Sequence, residues 1–250
     1  MQIVARLMAA IYIGSAVGSA LGADLLADRP ATELPGWALI ASGAATAAAL
    51  ILAAALPSAD EAGCDDLLQD VDVPISSVML PVSFANAWPA LLDTIEKAQP
   101  DIIIATGLKR SSRGILLERC ATNLMDAAKP DADNVIPSRR PINPEGPAAY
   151  WTRLPLRSIL KDFAKHEIPA TLSSDAGTFV CNSLFYHLLD WSARQDRRIL
   201  SGFVSLPIVN EQPHPQHGLP LAQQIAAGRD VIRETVRYHL QPSSGDILLG

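Results

Sequence analysis

From Pro57 onward, short apolar runs rich in Val and Ile alternate with stretches of helical periodicity, and few architectures accept that alternation. The candidate strands are Ile75–Leu80, Asp101–Thr106, Ile168–Ser173 and Ile199–Leu206. The candidate helices are Ser58–Gln69, Phe84–Ala98, Leu156–His166, Cys181–Trp191 and Leu219–Leu240. Continuously apolar strands separated by helices belong in the middle of a largely parallel sheet that is covered on both faces. The expected fold class is therefore α/β: a single three-layer α/β/α domain with a central, mostly parallel (mixed) sheet. Sites in such folds gather in loops at the carboxyl ends of strands. The stretch Lys129–Pro147 carries five prolines among Asp and Asn, so it reads as a long functional loop rather than a domain linker.

The front of the chain differs in kind. Residues 1–57 hold only five charged residues (Arg6, Asp24, Asp28, Arg29, Glu33). The division expected is an apolar leader of unassigned role over residues 1–36 and an α/β domain over 37–250. The stretch Leu7–Ala23 follows Arg6 and ends in small residues, as an export signal does. Trp37–Leu56 is long enough to span a bilayer, yet ten of its twenty residues are Ala, and a buried strand followed by an Ala-rich helix fits equally well. A net charge of −6 leaves no basic footprint for nucleic acid, so no nucleic-acid partner is expected. Three cysteines without a C-x-x-C spacing exclude a disulfide scaffold and a zinc ribbon, and suit a reducing compartment.

Two segments carry chemistry. In Ser173-Ser174-Asp175-Ala176-Gly177-Thr178-Phe179-Val180-Cys181-Asn182 a strand ends, a turn follows, and a cysteine opens an amphipathic helix. A thiol there sits in the positive end of the helix dipole, which favours thiolate, and the unpaired first-turn amides can stabilise an oxyanion. A packed structural cysteine is the competing reading. In Gly107 through Asn123, Glu118 stands among Ile115, Leu116, Leu117 and Ala121, so it either pairs with Arg113 or Arg119 or points into a cleft.

Together these motifs resemble the pyroglutamyl peptidase I (pyrrolidone-carboxylate peptidase) family of cysteine peptidases. The carriers are Ala176-Gly177-Thr178-Phe179-Val180-Cys181-Asn182 with Phe185-Tyr186, and Gly107 through Leu117-Glu118-Arg119 to Asn123. The central segment Pro141-Ile142 with Gly146-Pro147-Ala148-Ala149-Tyr150, and the anchors Leu80-Pro81-Val82 and Ser201-Gly202-Phe203-Val204, add to the likeness. The resemblance implies an omega peptidase that removes N-terminal pyroglutamate from peptides through an acyl-enzyme. It casts Cys181 as nucleophile, Glu118 as the acid that orients a histidine, and Phe179 as a wall of the lactam pocket. It also implies no cofactor and no metal, a homo-oligomer (a tetramer), and a cytoplasmic location. Export or membrane anchoring through residues 7–23 or 37–56 is the alternative location.

Two departures qualify the likeness. The family's catalytic histidine position is occupied here by Ser205, in Gly202-Phe203-Val204-Ser205-Leu206-Pro207. A serine hydroxyl does not titrate near neutrality and cannot serve as general base and acid. The substitute bases within chain reach are His214 and His217, in the loop that leaves this strand. His187 lies about 240° around a helix from Cys181, and His166 and His239 read as surface residues. The His214/His217 pair has no third ligand cluster beside it, so a metal site is not expected. The front of the family's pattern, a Gly-rich aromatic loop, is absent between Ala44 and Ala55. Activity is thus expected to be impaired. The runner-up function is a catalytically inactive relative acting as a binding or membrane-tethered module.

Overall fold

The computed structural model describes residues 7–12, 75–211 and 217–247. In chain order these form β1 (Leu7–Tyr12), β2 (Ile75–Leu80), α1 (Ala87–Ala98), β3 (Ile102–Leu108), β4 (Ile115–Glu118), β5 (Cys120–Thr122) and β6 (Ala149–Trp151). They continue with α2 (Leu156–Lys165), β7 (Ala170–Ser173), α3 (Val180–Ala193), β8 (Leu200–Leu206) and α4 (Leu221–Leu240). Six strands make one sheet in the order β2-β1-β3-β8-β4-β7, and β5 pairs with β6 in a small second sheet. The first four strands are mutually parallel, whereas β4 runs antiparallel to β8 and parallel to β7. The sheet is mixed and its helices pack on it as the sequence pattern predicts.

Side-chain alternation along the central strands builds two cores. Ile102, Ile104, Leu117 and Val204 face Ile159 and Phe163 of α2 and Val231 of α4. Ile103, Ala105 and Phe203 face Leu91 and Ile95 of α1 and Leu184, Phe185 and Leu188 of α3. All seven residues of β8 are buried, which explains why it reads as an unbroken apolar run. Helix α1 buries Ala87, Leu91 and Ile95 at four-residue spacing. Pro89 is tolerated in its first turn, where no backbone partner is lost. The helix closes on Gln99, whose φ of 47° is left-handed, and Pro100 then bars continuation.

Three strands escape a reading by periodicity. β4, β5 and β6 are three or four residues long, and their partners lie far away in sequence. Hydropathy does not single out β1, which lies inside the stretch read as a leader and pairs with β2 from Leu7↔Ile75 to Tyr12↔Leu80 and with β3 from Leu7↔Ile102 to Ile11↔Thr106. The physical reason is that an inner parallel strand is as apolar as a targeting segment, so hydropathy alone cannot tell them apart. Among the described residues no helix is long and apolar enough to cross a membrane. The remaining leader, the stretch Trp37–Leu56 and the expected helix Ser58–Gln69 lie outside the described residues.

Candidate active site

Strand register assembles the site. Gly107 of β3 pairs with Ser205 of β8, near the carboxyl ends of both strands. Across the other edge of β8, Glu118 pairs with Phe203 and Leu116 with Ser205. Paired residues share a face, so Gly107, Glu118, Phe203 and Ser205 all present to the side covered by α3. Glu118 is 0% exposed. The Ser205 hydroxyl donates to its Oε1 at 2.6 Å, while Oε2 is buried without a partner. A carboxyl in that state is held at a cost, because a buried polar oxygen without a donor forfeits its hydration.

Cys181 enters from above. Residue 107 is glycine because a Cβ there would meet Phe203 Cζ at 2.8 Å and Cys181 Sγ at 3.0 Å. The sulfur therefore packs directly on the end of β3. Burial pushes the Cys181 thiol up to about 12, and the Glu118 charge adds to the rise. Lys109 and the cysteine's own amide act in the opposite direction without prevailing. Burial thus opposes the thiolate-favouring pull of the helix start. Cys181 Sγ and the Ser205–Glu118 pair meet around Gly107.

The turn that aims Cys181 is fixed by specific bonds. Gly177 has φ +79° with open space around it, so its role is conformational. The Asp175 carboxylate accepts from the Gly177 amide at 2.9 Å, and Lys109 Nζ donates to the Asp175 carbonyl. Thr178 Oγ1 donates to the Asp126 carbonyl at 2.5 Å. Asn182, fully buried, accepts from the Thr122 amide at 3.0 Å and donates to the carbonyls of Thr122 (2.9 Å) and Leu124 (3.0 Å). That side chain locks the first turn of α3 onto β5.

Phe179 packs against the same apolar cluster as Cys181 and meets Phe84 edge to face, with centroids 5.2 Å apart. Phe84 was not singled out by sequence. Its amide donates to Asp131 at 2.9 Å, and Asp131 also accepts from the amides of Asp133 and Val135. Burial would raise the Asp131 pKa, but the three amides together hold it below the usual carboxylate range. The signal available in the sequence was the Pro130-Asp131-Ala132-Asp133-Asn134 turn, whose acids serve to fold the proline-rich loop onto the start of α1.

The described histidines make their contacts elsewhere. His217 is exposed and its Nε2 lies 2.8 Å from the Arg110 carbonyl; His214 lies outside the described residues. His187 stacks on Trp88. His166 binds Asp230 at 2.6 Å. His239 is partly buried, with Nδ1 unpartnered, rather than a surface residue, and burial lowers its pKa. Among the described residues, no histidine hydrogen-bonds Glu118 or Cys181. The one group with metal-ligand spacing there is Asp162, His166 and Asp230, and Arg233 already bonds both of its carboxylates.

The sequence profile of the pyroglutamyl peptidase family matches residues 57–236, which include the whole of this site. The chain belongs to that family. The pyrrolidone-carboxylate peptidase of Bacillus subtilis (strain 168) is 43% identical over 138 residues, 55% of this chain and 64% of the relative's length. The Bacillus licheniformis enzyme of the same name is 39% identical over 175 residues, covering 65% of this chain and 81% of its own. In three dimensions this chain resembles the crystal structure of Bacillus amyloliquefaciens pyroglutamyl peptidase I, with a TM-score of 0.68 at 27% identity over 98% of this chain and 100% of that one. It shares its fold with pyrrolidone carboxyl peptidase from Thermococcus litoralis (TM-score 0.72, 22% identity, 98% and 99% covered). Among the described residues a half-buried thiol, a carboxyl and a serine hydroxyl gather at one strand end, with no histidine hydrogen-bonded to the thiol or the carboxyl.

Proposed function

We propose that the chain is a cysteine exopeptidase of the pyroglutamyl type whose rate is impaired by Ser205. Cys181 Sγ attacks the carbonyl carbon of an N-terminal pyroglutamyl residue, the C–N bond to the next residue breaks, and the thiol proton ends on the leaving amine. Water then cleaves the thioester, releasing pyroglutamate and restoring the thiol. The free amides at the start of α3 lie where the oxyanion forms. Phe179, with Phe84 against it, supplies apolar walls for the lactam ring. Glu118 would orient an imidazole, and here it holds the Ser205 hydroxyl instead. The observation that carries this reading is the shared site of Cys181 and Glu118 on the face below α3.

The Ser205–Glu118 bond favours a second reading, an inactive relative that binds peptides without cleaving them. Hydrolysis of a pyroglutamyl-amide fluorogenic substrate separates the two. Wild type is expected to turn over slowly, Cys181→Ala not at all, and Ser205→His on the order of 10³-fold faster, since losing one member of such a triad costs 10⁴–10⁶. Intact substrate with both wild type and Ser205→His would support the second reading. Fast wild-type turnover that survives removal of His214 and His217 would refute the account of the base. A homo-oligomer, tetrameric by resemblance, and a cytoplasmic location complete the proposal; light scattering and cell fractionation test them.

A further inference from the structure

A cavity of about 870 Å³ opens beside Ile199 and Leu200, where β8 begins, at the opposite end of that strand from Ser205. Its volume lies in the range of small-molecule sites. Four arginines line it (Arg119, Arg153, Arg197 and Arg198) against a single lining acid, Asp196. In a chain of net charge −6 this is a local inversion of sign.

Among the described residues, three of these four guanidinium groups are held by uncharged partners. Arg153 Nη1 donates to the carbonyls of Ser192 at 3.1 Å and Ile199 at 3.3 Å. Arg198 Nη1 donates to the His239 carbonyl at 3.2 Å, and its guanidinium lies 4.9 Å from the centre of the Tyr238 ring. Arg119 spends Nε and Nη2 on the Ser174 hydroxyl. Of the four, Arg197 has a carboxylate partner, Asp101 at 2.7 Å. Carbonyls, a hydroxyl and a ring face orient a guanidinium but leave its charge in place. The cavity is thus a preset array of cationic forks, which match the paired oxygens of carboxylates and phosphates. Trp151, 57% exposed, also lines the cavity with its ring.

We propose that this cavity binds a small oxyanion carrying two or more charges, of the polycarboxylate or phosphate type, at a site separate from Cys181. The inference is independent of the activity assigned to Cys181. Two probes distinguish the sources of the shared chemistry: citrate and inorganic pyrophosphate, each titrated at constant ionic strength into the full-length chain. Binding is read by calorimetry and by quenching of Trp151 fluorescence, with Trp151→Phe as the optical control. Saturable binding of at least one probe is expected, weakened about tenfold by Arg198→Gln and unchanged by Arg139→Gln on the exposed proline-rich loop. Arg198 is half on the surface and holds no strand in place, so its variant should fold, which circular dichroism verifies. Absence of saturation, dependence on ionic strength alone, or equal affinity in Arg198→Gln would overturn the proposal.

Discussion

The residue that sets the chemistry is Cys181, and its protonation state is the quantity to measure. A thiol with a pKa near 12 is almost wholly protonated at neutral pH, so iodoacetamide should modify Cys181 far more slowly than a free cysteine at pH 7, accelerating up to the top of the accessible pH range. Because the Glu118 charge contributes to the rise, Glu118→Gln should lower the pKa and speed alkylation severalfold at pH 8. Rapid labelling of the wild type at pH 7 would contradict this picture. The same shift has a sign in stability. The folded state keeps its proton longer than the unfolded chain, so the contribution is complete below the ordinary thiol value of 9.0 and is lost as pH rises from there toward 12. Cys181→Ser should flatten that alkaline decline in thermal unfolding.

Among the elements, α3 depends on one side chain. Asn182→Ala removes four hydrogen bonds and strands the Thr122 amide and two carbonyls in a dry interior, which should cost about 2–4 kcal/mol and lower the urea midpoint at unchanged slope. A change below about 0.5 kcal/mol would mean that β5 and α3 are held together by packing instead. Elements of this kind also show what the chain reveals before folding. Strand β2 and the long helices were readable because their repeats span enough residues to leave a period. Cys181 and Glu118 stood out through local incongruity, a thiol opening a helix and an acid within an apolar run. Phe84 could not be found that way: its meaning comes from Asp131, which lies 47 residues away and captures its amide. Likewise the raised thiol pKa follows from burial by distant strands, which no local rule about helix starts contains.

At the scale of the molecule, the outer face of the sheet is fastened by charge as well as by its apolar core. Arg233 of α4 bonds Asp162 of α2 and Asp230 of its own helix, both nearly buried. Burial would raise the Asp162 pKa, but Arg233 and then Lys165 hold it below 3.8, so this contribution is present above that pH and is lost as pH falls through the depressed value. Arg233→Met should therefore cost about 2 kcal/mol at pH 7, and less at pH 3, in chemical denaturation. The position of β1 has a wider bearing. It lies between β2 and β3 and hydrogen-bonds to both, so taking it out would cast β2 adrift and leave the long flank of β3 bare. A chain begun at residue 13 should accumulate as aggregate, and recovery of a soluble, cooperatively melting fragment would show β1 to be dispensable. Cleavage near Ala23 would take this strand with it, and β2 would then have no neighbour through which to join the rest of the sheet.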